Sequence, residues 1–120
     1  MAAEPRGPRT ARHWVMRTIA ELGVTGTVNQ VVELLTAELV SNAVVHGPAG
    51  GPVRVRLRVA GPYVRVEVTD TGHGSPTVRH PEPTAASGRG LALVDALAES
   101  WGTRPHEGGT SVWFQVDTEA

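Results

Sequence analysis

The stretch from Val53 to Thr69 constrains the fold more than any other. Val53, Val55, Leu57 and Val59 alternate with Arg54, Arg56 and Arg58, and after Ala60-Gly61-Pro62 the alternation resumes from Tyr63 to Thr69. Successive side chains on a strand point to opposite faces, so each run has one apolar and one polar face. Two such runs joined by a short Gly-Pro turn predict an antiparallel hairpin whose apolar face needs a cover.

The cover lies in the flanking sequence. Ala11, Trp14, Val15, Thr18 and Leu22 recur at helical spacing within Thr10 to Leu22, and Gly23 suits a C-cap. The run VNQVVELLTAELVSNAVVHG predicts a second, longer helix ending at Gly47. Residues 75–87 carry three prolines and no period, which predicts a loop of lid type. GRGLALVDALAESWG then predicts a third helix through about Leu97, and TSVWFQV a last strand with Val112, Phe114 and Val116 on one face. The order helix, helix, strand, strand, loop, helix, strand predicts an α+β fold. It is a two-layer α/β sandwich whose mixed, mostly antiparallel sheet has its helices packed on one face.

With 120 residues the chain holds one core, assigned to residues 10–117, after a Pro/Gly/Arg-rich N-terminus (residues 1–9) expected to be flexible. A net charge of −1 gives no electrostatic case for nucleic acid or a membrane surface. No run reaches the length of a membrane span, and MAAEPRGPRT has no apolar leader, so the expected location is cytoplasmic. Cysteine is absent, which excludes disulfides and thiolate metal sites. All 11 basic residues are arginine, so a Walker-type phosphate loop, which needs its lysine, is excluded as well. Alternating charge on an exposed strand face needs only solvent, and the arginine face (Arg54, Arg56, Arg58, Arg65) is assigned to it.

Three constellations could carry chemistry. Glu38 and Asn42 lie four apart on the second helix, roughly 40° apart on its surface, on the side that holds Val31, Leu34, Leu35 and Val45. A carboxylate or amide buried there without partners costs about 1–3 kcal/mol. A hard cation would satisfy the amide oxygen; alternatively Asn42 caps a kink and Glu38 meets solvent. Asp70 ends an apolar strand and runs into Gly72-His73-Gly74, where absent side chains let a flat ligand approach, or where the chain simply turns. Gly88-Arg89-Gly90 opens the third helix, whose free N–H groups and positive dipole end suit an anion. The commoner use of such a start is a capping turn.

In this order the parts resemble the GHKL (Bergerat-fold) ATP-binding domain, most of all the small anti-sigma-factor serine/threonine kinases and their actinobacterial relatives. ELVSNAVVHG is similar to their N box, DTGHG to the first glycine box, GRGLALVDALAESWG to the second, and GGTSVWF to the terminal strand. The resemblance implies ATP and Mg²⁺ as cofactors, with Asn42 on the metal and Glu38 as the catalytic base. It implies Asp70 under the adenine amino group with Thr110 assisting, and Gly72 and Gly74 admitting the base. Gly88, Arg89, Gly90 and Leu91 would receive the phosphates. It further implies a kinase that binds a sigma factor and phosphorylates an anti-anti-sigma antagonist, and it allows a homodimer. The alternative is a non-catalytic ATP-dependent switch that sequesters a regulatory protein. A histidine kinase would need a dimerisation helix with a phospho-accepting histidine, for which His13 is too isolated. Relatives of this type commonly carry a strand before the first helix, and MAAEPRGPRT offers no pattern for one.

Overall fold

The computed structural model describes residues 1–72, 86–106 and 108–119, with the backbone alone for residues 86–90 and 106. The elements run α1 (Gly7–Glu21), α2 (Gly26–His46), β1 (Arg54–Ala60), β2 (Tyr63–Asp70), α3 (Ala86–Leu97), β3 (Ser100–His106) and β4 (Gly109–Asp117). The strands form one sheet in the order β1-β2-β4-β3, and every pairing among the described strands is antiparallel. α2 lies against β2 and β4 and is flanked by α1 and α3. This is the α+β sandwich the sequence predicts.

Alternation sets the layers. Val64, Val66 and Val68 of β2 are buried beside Val112, Phe114 and Val116 of β4, while Arg54, Arg56 and Arg58 of β1 are exposed. The hairpin closes as expected, with Ala60 opposite Tyr63 and Arg54 opposite Thr69. β3 is the strand that the sequence pattern misses. Its residues SWGTRPH contain Gly102 and Pro105 and do not alternate, and β3 sits at a sheet edge, paired with β4. Proline is tolerated there because an edge strand has one unpaired side.

The N-terminus also departs from expectation. Residues 1–6 are docked and α1 begins at Gly7, with proline in its first turn. The Met1 amino group donates to the Val53 carbonyl (2.9 Å), Val53 N–H returns a bond to Met1 (2.7 Å), and Ala3 N–H donates to Gly51 (2.8 Å). An isolated antiparallel bridge joins Ala2 to Pro52, the place where a preceding strand would lie. These are main-chain bonds, which any residue can make, so composition alone reads the segment as frayed.

The buried stripes are shifted as well. On α1 the core takes Ala11, Val15 and Ile19, whereas Trp14 and Leu22, expected inside, are 43% and 60% exposed. On α2 the buried residues include Val32, Leu35, Leu39, Val40 and Ala43, while Leu34 and Val45 face outward. α2 is covered by the sheet and by both other helices, so its buried arc is wider than one amphipathic stripe.

The contrast on α1 is measurable. Ile19→Ala removes a fully buried side chain and is expected to cost about 2–5 kcal/mol in urea unfolding. Leu22→Ala should stay within about 0.5 kcal/mol of the wild type.

Candidate functional site

The site is built where β2 ends beneath the C-terminal end of α2. Asp70 has the same strand parity as Val64, Val66 and Val68, so it points to the helix side, and its register partner on β4 is Thr110. The chain then leaves the sheet in a tight turn. Gly72 N–H donates to Asp70 Oδ1 at 2.6 Å, and Thr110 Oγ1 donates to the Gly72 carbonyl at 2.8 Å. Asp70, Gly72 and Thr110 are thus one hydrogen-bonded unit. Beside it, the Thr69 and Ser111 hydroxyls share a bond of 2.8 Å that ties the ends of β2 and β4 together.

Two glycines that sequence reasoning left out of the site make this packing feasible. A Cβ on Gly47, at the end of α2, would lie 2.6 Å from the Ala43 carbonyl oxygen and 3.3 Å from Asp70 Cγ. Only hydrogen lets the helix end rest on the carboxylate. Gly109, the first residue of β4, has φ +140°, and a Cβ there would overlap the Asp70 carbonyl oxygen. The signal was present, a glycine closing a long helix and another opening the last strand, but either could serve an ordinary turn.

One turn back from Gly47, α2 carries Asn42, which is 4% exposed. Its Oδ1 is buried with no hydrogen-bond partner among the described residues. The other asparagine, Asn29, is also buried, yet its Nδ2 donates to the Met16 and Val24 carbonyls. An unpaired buried amide oxygen costs about 1–3 kcal/mol, so Asn42 is the site's one unmet acceptor of this kind among the described residues. Glu38 lies half-buried on α2, one turn before it. No cluster of three or more His, Asp or Glu side chains that could hold a metal occurs among the described residues. A buried, unpaired amide oxygen is chemically suited to a hard cation that completes its shell with water and ligand oxygens.

α3 closes the other side. Its described span is Ala86–Leu97, so the Gly88-Arg89-Gly90 run is helical. Leu91 is buried, and α3 packs on α2. Gly74, His73 and the expected lid up to residue 85 lie outside the described residues.

With this geometry in place, the likeness to known proteins is specific. The family profile described as "Histidine kinase-like ATPase domain" matches residues 1–116. The RsbU and RsbW domains of Rv1364c from Mycobacterium tuberculosis superpose with a TM-score of 0.75 at 25% identity, over 98% of this chain and 30% of that one. The histidine kinase domain of the Erythrobacter litoralis EL346 blue-light activated histidine kinase gives a TM-score of 0.57 at 26% identity, over 77% of this chain and 45% of that one. The sensor histidine kinase Hik2 of Thermosynechococcus vestitus is 25% identical over 133 residues, covering 96% of this chain and 34% of its own length. The chain thus spans 30% to 45% of the length of these relatives. No described helix is long and apolar enough to cross a membrane.

The packing at Gly109 yields a test. Gly109→Ala is expected to destabilise the fold by more than about 2 kcal/mol, because strain at positive φ and the overlap with Asp70 add together. Urea unfolding measures it, and a loss under about 0.5 kcal/mol would contradict the geometry.

Proposed function

The chain belongs to the histidine kinase-like ATPase domain family, and from that premise we propose that it binds Mg-ATP between the end of the central sheet, α2 and α3, as a protein serine/threonine kinase of the anti-sigma-factor type. The observation that carries the reading is Asn42 Oδ1, buried and unpaired on α2. Asn42 Oδ1 would hold a Mg²⁺ ion, whose chemistry would be to offset phosphate charge that repels a nucleophile.

The chain's own residues would do the rest. Asp70 Oδ1 already accepts the Gly72 N–H, which fixes the plane of the carboxylate and leaves Oδ2 to accept from the adenine amino group. Thr110, hydrogen-bonded to the same turn, holds that plane from the other side. Purines with a carbonyl in place of the amino group would bring an acceptor against an acceptor, so the site should prefer adenine over guanine. Backbone N–H groups of Gly88, Arg89, Gly90 and Leu91 would meet the phosphates. Glu38, one turn from Asn42, is the group that would orient or accept the proton of the attacking hydroxyl.

The partner side of the proposal rests on the likeness to the Rv1364c domains. That likeness supports a partner protein in general; the motif resemblance adds a sigma factor and its antagonist as the proposed partners, the antagonist being the phospho-acceptor.

Thermal unfolding with Mg-ATP, Mg-ADP and Mg-GTP, on wild type and Asp70→Asn, tests the pocket. Ligand at about 100 times its dissociation constant stabilises by about 2.7 kcal/mol, a shift on the order of ten degrees for a chain this size. The shift should be adenine-selective and lost in Asp70→Asn. Equal shifts with GTP, or a full shift in the variant, would sink the adenine assignment. Kinase chemistry has a separate readout: Glu38→Ala should keep the nucleotide shift while phosphotransfer to an antagonist protein falls by about 100-fold or more. Undiminished transfer would remove Glu38 from the reaction.

A further inference from the structure

The face of the sheet opposite the helices carries a feature that nucleotide binding does not use. Arg54, Arg56 and Arg58 of β1, Arg65 of β2 and Arg104 of β3 share this open side. Some of them line an open depression of about 620 Å³ together with Glu67. Glu67 lies within 3.9 Å of Arg56 and 3.4 Å of Arg104. No described carboxylate pairs with Arg58 or Arg65. These two stand directly opposite each other across β1 and β2, an arrangement of like charges that destabilises a sheet.

Edge protection accounts for charge on β1. It does not account for Arg65, which is on an interior strand, or for its placement against Arg58. The Arg65 guanidinium is held 3.9 Å above the Trp113 ring, and that ring lies close over Gly102, where a Cβ would come within 2.9 Å of Trp113 Nε1. Stacking of this kind fixes the planar fork before any ligand arrives.

We infer that this open face is a docking surface for an acidic, extended segment of a partner protein, with Arg58 and Arg65 gripping one carboxylate between them. Cross-strand neighbours are about 5 Å apart, within reach of a shared carboxylate, and a bound anion would remove their mutual repulsion. Arginines at every second residue of β1 repeat at roughly 7 Å, the same repeat as alternate side chains of an extended peptide. Carboxylates at alternating positions would therefore meet Arg54, Arg56 and Arg58 in turn. Nucleic acid fits less well: Arg65 occupies a face of the Trp113 ring that base stacking would need, and the chain as a whole carries a charge of −1. The surface is on the opposite side of the sheet from Asp70, so it goes beyond the nucleotide reading and does not depend on it.

The test is fluorescence anisotropy on the full chain with three labelled probes: a peptide of alternating Glu and Thr, its Lys-Thr counterpart, and a single-stranded oligonucleotide. The acidic peptide should bind, weaken as salt rises, and lose about tenfold or more in affinity to Arg58→Ser/Arg65→Ser. The same variant loses the Arg65–Trp113 stack along with the Arg58–Arg65 repulsion, so its unfolding temperature should stay close to that of the wild type, and it should keep the wild-type response to Mg-ATP. No binding of the acidic peptide, equal affinity in the variant, or tighter binding of the oligonucleotide would each overturn the proposal.

Discussion

The carboxylate of Asp70 accepts the N–H of Gly72, and this one bond turns the chain out of the central sheet directly under the end of α2. Much else is conditional on it. The turn presents the Gly72 carbonyl to Thr110, which locks β4 to the end of β2. Gly109 can begin β4 only by lying flat on the Asp70 backbone, and Gly47 can end α2 only by lying flat on its side chain. A small residue at each approach and a short polar side chain at the centre hold three elements within contact of one carboxylate. An apolar core of Val66, Val68, Phe114 and Leu39 then anchors those elements behind the turn. That arrangement gives a site built on rigid backbone, the condition for orienting a flat ligand.

The same core explains why an amide is tolerated inside. Asn29 and Asn42 are both buried on α2, near its two ends. Asn29 serves the fold: it ties the loop before α2 and the neighbouring helix α1 through two backbone carbonyls. Asn42 has an unpaired oxygen in the same kind of environment. The Asn29 amide nitrogen is tied into the fold, whereas the Asn42 amide oxygen has no such tie, and the proposed nucleotide reading rests on that difference.

Legibility in the sequence followed the same division. Where side chains dictate structure, the reading was good: the β1–β2 hairpin from its alternation, α2 from its length and closing glycine, β4 from Val112, Phe114 and Val116. Where main-chain bonds or tertiary cover dictate it, the reading failed. Met1 and Ala3 dock through backbone groups that any residue carries, and β3 is held at the edge by β4 despite Gly102 and Pro105. Ile19 replaced Leu22 in the core because the buried arc of α1 is set by α2, not by its own pattern. Within the site, Asp70, Gly72 and Thr110 could be named from motif order, and they are joined by hydrogen bonds. Gly47 and Gly109 could not, because a glycine's reason lies in what approaches it. The arginines of β1 looked like solvated charge, and only the register that sets Arg58 against Arg65 gives them a second meaning.

The central claim is that Asn42 Oδ1 is reserved for the metal of a bound nucleotide. The direct measurement is the side-chain amide NMR spectrum of the ¹⁵N-labelled chain with Mn-ATP replacing Mg-ATP. Asn29 and Asn42 are the two asparagines of the sequence, distinguishable from the glutamine amides of Gln30 and Gln115, so each reports on one end of α2. The account predicts that the paramagnetic ion broadens the Asn42 amide signal severely while Asn29 stays sharp. Two sharp signals at saturating Mn-ATP, or two equally broadened ones, would contradict it.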